Sequence, residues 1–111
     1  MSVVYIAGPI TGHENGNREA FLRAEQLFKR LGFIVLNPHC LPVGLTEYKY
    51  MDICLAMVRS ANMIYLLDGW ETSSGAIAER ALAKKLGLLI ITGSARPPIS
   101  PIPPIRYFRE G

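Results

Sequence analysis

Along the chain the apolar residues switch between two spacings. Residues 2–8, SVVYIAG, form a short run of β-branched and aromatic side chains closed by Gly8-Pro9, the pattern of a buried strand. Over residues 17–32, Phe21, Leu22, Ala24, Leu27, Phe28 and Leu31 recur at helical spacing, with Asn17 placed to cap and Gly32 to stop. A second strand is predicted over 33–38 and a loop over 39–45. A helix follows over 46–61, with Met51, Leu55 and Val58 along one face. Residues 62–70 read as a third strand, 74–87 as a third helix ending at Gly87, and 88–93 as a fourth strand.

Strands that alternate with helices and are almost continuously apolar predict a parallel sheet covered on both faces. With right-handed crossovers the simplest topology is a small doubly wound, flavodoxin-like α/β domain of four to five strands. The domain is expected over 1–93. Residues 94–111, SARPPISPIPPIRYFREG, hold most of the prolines, so neither a helix nor a central strand fits them. An extended arm is expected there, part of the same domain or a dimer contact.

Composition narrows the function only a little. The 111 residues are 50% hydrophobic and 19% charged, which suits one globular domain. The net charge of +3 is mild and its cations are scattered, so nucleic-acid binding is not expected. No stretch approaches the roughly 20 apolar residues of a membrane span, and the first residues lack the features of a signal peptide. A soluble cytoplasmic protein is expected. Cys40 and Cys54 have no metal-ligand spacing and read as buried free thiols.

In the order 2-1-3-4, ligands bind beyond the carboxyl ends of strands one and three. The loops there, GPITGHENG and DGWETSSG, are also the most polar and glycine-rich in the chain. Gly8 and Gly12 would let backbone approach a ligand. Ser73 and Ser74 precede the third helix, where they can cap it, stabilise a bound anion, or do both. Glu79 is harder to treat as ordinary. On a helical wheel it lies within about 60° of Leu82, Leu86 and Ala83, so its carboxylate faces the apolar side. A capping box does not explain it, because position 76 is alanine. It needs either an arginine partner or a cleft in which it works as acid, base or nucleophile. Asp68 ends the third strand beside the same crevice, though Asp-Gly is also an ordinary turn. Trp70 can stack on a planar ligand or cover the sheet edge. By default Tyr5 packs in the core, Asp52 is a solvated helix charge, and His13 and His39 are isolated loop residues.

YIAGPITG and SSGAIAE together resemble the nucleoside 2-deoxyribosyltransferase superfamily, which includes the deoxynucleoside 5′-monophosphate N-glycosidases. The stretches MDICLAM and DGWETSSGA look closer to a small, largely uncharacterised bacterial and phage branch of it. The resemblance implies that Glu79 is the nucleophile at the sugar C1′ and that Tyr5 lies beside it. It also implies that Ser73 and Gly75 hold a 5′-phosphate while Ile10, Thr11 and Gly12 wrap the nucleotide. An aspartate thought to protonate the leaving base in the hydrolases aligns near Cys54, with Asp52 two residues early. Some members carry arginine where Thr11 stands. The expected activity is therefore hydrolysis of the N-glycosidic bond of (deoxy)nucleoside 5′-monophosphates, with Asp68 or Asp52 as acid. The alternatives are a nucleoside 2-deoxyribosyltransferase and a non-catalytic nucleotide-binding module. No metal or organic cofactor is implied. The expected partners are a small nucleotide or nucleoside and further copies of the chain, as a homodimer or larger assembly.

Overall fold

The computed structural model describes residues 2–93. Over that span the changes of period become β1 (Val3–Ala7), α1 (Arg18–Arg30), β2 (Ile34–Leu36), α2 (Glu47–Arg59), β3 (Met63–Leu66), α3 (Ser74–Leu86) and β4 (Leu89–Thr92). The sheet order is β2-β1-β3-β4 and every pairing is parallel. This is the doubly wound α/β topology that the sequence predicts. The proline-rich arm expected over 94–111 lies outside the described residues.

Alternation along each strand divides the core into two. Tyr5, Ala7, Ile64 and Leu66 face Cys54 and Val58 of α2 and Ala76 and Ala83 of α3. Val4, Ile6, Met63 and Leu67 face Phe21, Ala24 and Phe28 of α1 on the opposite side. Phe28 also meets Tyr65 and Phe33 edge-on, at ring separations of 4.9 and 5.3 Å. Losing an aromatic side chain buried like this costs about 3–5 kcal/mol, so Phe28→Ala would endanger the whole α1 face.

At the amino ends of the strands, Asn62 serves three of them. Its Oδ1 accepts from Val3 N at 2.8 Å, its own N–H donates to Val3 O, and its carbonyl accepts from Leu89 N. The opposite, carboxyl ends of β1 and β3 stay in register, with Ala7 opposite Leu66. That edge is left for loops.

Local structure departs from the sequence reading in several places. β2 has three residues rather than the expected six, because the chain leaves the sheet into a 3-10 turn over Pro38–Cys40. The Asn37 side chain caps that turn, accepting from His39 N at 2.9 Å and donating from Nδ2 to Glu25 at 2.8 Å. Asn17 does not cap α1 with its side chain. Asn15, Gly16 and Asn17 are all left-handed, forming a tight turn before the helix that leaves the Asn17 side chain out of capping position. On α2 the buried line runs through Cys54 and Val58, while Met51 and Leu55 flank it half-buried. On α3 the buried stripe is Ala76, Glu79 and Ala83, and Leu86 is exposed. Cys54 is buried as expected, but Cys40 is exposed at the end of its turn, and both thiols are free.

Candidate active site

The start of α3 sets the geometry. Ser73 adopts an extended backbone and its Oγ accepts from Ala76 N at 3.1 Å, a side-chain cap that fixes where the helix begins. Glu79 then falls just over one turn in, on the buried stripe against the sheet. Its carboxylate meets Tyr5, the central residue of β1, whose hydroxyl donates to Glu79 Oε2 at 2.9 Å. Tyr5 is fully buried and Glu79 is 6% exposed. No ion pair joins this carboxylate among the described residues: the pairs on α1 are Glu19–Arg23 and Glu25–Lys29. The arginine partner considered from the sequence is not its anchor. Arg80, the next residue, instead lays its guanidinium over the Trp70 ring, 5.4 Å from the centroid.

Burial without a cation sets the electrostatics. Removal from water pushes the Glu79 carboxyl up to about 7, and the Tyr5 hydrogen bond pulls part of that back by favouring the charged form. Burial, and then the Glu79 charge, push the Tyr5 phenol well above its ordinary value, so it stays a donor. Cys54 is a third member of the group. Its thiol is hydrogen-bonded with the Tyr5 hydroxyl and is raised chiefly by burial. The phenol proton already goes to Glu79, so the thiol takes the donor side, giving a chain from Cys54 through Tyr5 to Glu79. The sequence had marked Cys54 only as the position where related hydrolases carry aspartate.

The two proposed acids lie elsewhere. Asp52 is exposed on α2, two residues and therefore about 200° away from Cys54 around the helix. Asp68 is also exposed. It lines an open hollow of about 480 Å³ on the α1 side of the sheet, with His13, Asn17, Arg23, Tyr65 and Gly93. Glu79 sits on the other face. The sheet thus separates Asp68 from the Glu79 carboxylate, although both follow β3 in sequence.

Around the Tyr5–Glu79 pair the remaining predicted residues take distinct roles. Gly8 is buried, and a Cβ there would come within 2.8 Å of Leu67 Cβ. Its smallness serves strand packing, and the expected role of admitting a ligand does not account for it. Gly12 has φ +84° and open space beyond, so there it is the backbone conformation that requires glycine. Ile10, Thr11 and Gly12 are all exposed on the loop after β1. Ser74 is exposed as the first residue of α3, and Gly75 packs beneath Met51 Sδ. Trp70 opens a 3-10 turn over Trp70–Thr72 and packs half-buried against the cluster that holds Tyr5, Cys54 and Ala76. His39 is structural: its Nε2 lies 2.8 Å from Gly16 O and its ring meets Phe21 edge-on. Among the described residues no group of three or more His, Cys, Asp or Glu side chains is arranged to hold a metal ion, and no helix is long and apolar enough to cross a membrane.

A family model described as "Domain of unknown function (DUF4406)" matches residues 2–92. No curated protein matches the chain. Among solved structures, a 2-deoxyribosyltransferase from the psychrotolerant bacterium Bacillus psychrosaccharolyticus is similar in fold, with a TM-score of 0.68 at 20% identity. The match covers 91% of this chain and 78% of that one.

Proposed function

The chain belongs to the DUF4406 family, and we propose that it is a glycosyl-transfer enzyme that moves a deoxyribosyl group from one nucleobase to another. One observation carries this reading: a carboxylate, 6% exposed and free of ion pairs among the described residues, is held by a single phenol hydrogen bond at the start of α3. The fold shared with a 2-deoxyribosyltransferase supports it.

In this reading the ionised Glu79 attacks the sugar C1′. The C1′–N bond breaks, a C1′–O bond to Glu79 forms, and the departing base takes up a proton. A carboxylate suits this centre because it stabilises the positive charge that develops on the sugar before bonding to it. In the second half a ring nitrogen of an incoming base attacks C1′, loses its proton, and frees the carboxylate. Tyr5 orients Glu79 by holding Oε2, which leaves Oε1 to bond carbon. The ordinary carboxylate is a poor leaving group for such a return step only when strongly stabilised, and an acid that titrates near 7 keeps both directions within reach.

A second reading is hydrolysis of deoxynucleoside 5′-monophosphates, with water in place of the second base. What favours it is the amino end of α3, where Ser73, Ser74 and the first backbone amides present donors at the positive pole of the helix. Self-association, which the family resemblance suggests, belongs to either reading and is measured by light scattering. The two separate in one experiment. The chain is incubated with deoxynucleosides and their 5′-monophosphates, with and without an acceptor base, and the products are resolved by chromatography. New nucleoside that forms only with acceptor supports transfer. Free base from monophosphates alone supports hydrolysis, and absence of product from every substrate overturns both.

A further inference from the structure

Trp70 Nε1 is a buried donor for which the described residues supply no acceptor. An indole N–H shut away from water without a partner is uncommon, and folded chains usually satisfy it. The ring is held in place by other means. Arg80 covers one face, the ring edge packs on the cluster containing Tyr5 and Ala76, and Thr72 Oγ1 ties the turn by donating to Gly69 O at 2.8 Å. The loop that carries Trp70 ends at Ser73, the cap of the helix bearing Glu79. Glu79 is itself nearly closed off, so a sugar reaches it only when side chains at this end of the cluster part.

We propose that Trp70 is a substrate-recognition residue: its N–H is kept unpaired in the free chain and takes a hydrogen-bond acceptor of the nucleoside bound beside Glu79. The acceptor is a base carbonyl or a sugar hydroxyl. The assignment rests on the nucleoside reading above and adds to it a specific contact from the loop after β3. Arg80 is then the support that presents the ring, which explains why it faces away from its neighbouring carboxylate.

Trp70 is the chain's one tryptophan, so its emission reports this side chain alone. The test uses Glu79→Gln, to prevent turnover, and the double variant Glu79→Gln/Trp70→Phe, which keeps an aromatic ring and removes only the N–H and part of its area. Both are titrated calorimetrically with deoxyinosine, deoxyadenosine and their 5′-monophosphates, and Trp70 emission is followed in the single variant. The expected result is a saturable emission change and an affinity about five- to tenfold weaker in the double variant. Thermal unfolding should stay level or rise slightly, since an unpaired buried donor has been removed. Weakening for deoxyinosine alone assigns the acceptor to the base carbonyl, which deoxyadenosine lacks; equal weakening assigns it to the sugar. Equal affinities in the two variants, or binding without any change in emission, overturn the assignment and leave the nucleoside reading standing. No binding of any nucleoside to either variant overturns both.

Discussion

Tyr5 and Glu79 are 74 positions apart in sequence and 2.9 Å apart in space, and the chemistry proposed for the chain depends on that contact. Because Glu79 must be ionised to attack carbon, kcat/KM for glycosyl transfer should rise with pH through about 7 and level off above it. Tyr5→Phe removes the one influence that lowers the carboxyl, so the midpoint should move upward from about 7. A pH–rate profile of each protein checks the pair. The same substitution leaves a buried carboxylate without its donor and should cost about 1–3 kcal/mol of stability in urea unfolding above that midpoint. Glu79→Gln keeps an oxygen for Tyr5 to donate to, so it should fold normally and lose turnover. The sequence gave good grounds for singling out Glu79, since helical geometry alone puts it on the apolar side of α3. It gave none for discarding Asp68, whose displacement to the other face follows from how the turn after β3 is wound.

At the scale of elements, positions that merge two roles in the sequence come apart in the structure. Gly8 and Gly12 look alike on paper, as glycines flanking a loop. Gly8→Ala should destabilise the chain by about 1–3 kcal/mol, because the new methyl meets Leu67 and both strand ends must shift. Urea unfolding measures this. Ser73 joins two functions that can be separated in the same way. Ser73→Ala should cost about 1 kcal/mol through the lost cap on Ala76 N. If the phosphate reading is right, it should also weaken 5′-monophosphates more than the parent nucleosides, as paired calorimetric titrations would read. Helix extents were legible because period and stop signals agree, as at Gly87. The short turns were not: at Pro38–Cys40 and at Asn15–Asn17 the backbone follows side-chain bonds and left-handed residues that no periodicity encodes.

For the whole molecule, the sheet order was readable from the succession of strands and helices, since short right-handed connections leave few alternatives. Which face receives which side chain was less so, because a shift of one residue at a strand end exchanges the two sides. The buried carboxyl has a consequence for global stability. Glu79 titrates near 7 when folded and near 4.5 when free, so between those values the folded chain binds more protons than the unfolded one. Its contribution is complete below 4.5 and is lost as pH rises to about 7, a fall of about 3 kcal/mol. Glu25 is held low by Lys29 and Asn37, so its own effect lies below 4.5 and leaves this window unchanged. Urea unfolding at pH 5 and pH 8 should show the decline in the native sequence and a flatter response in Glu79→Gln.

The unequal burial of the two thiols gives the molecule a built-in ruler. Cys40 is exposed on the turn beyond β2, whereas Cys54 is shut in the core with its thiol pushed up by burial. A maleimide dye at neutral pH should therefore couple at Cys40 and spare the group around Tyr5. With the lone indole at Trp70 as donor, energy transfer to that dye spans the edge of the sheet where the loops after β2 and β3 emerge. A change in transfer efficiency on adding a nucleoside would time the movement of the Trp70 loop directly, without any engineered residue.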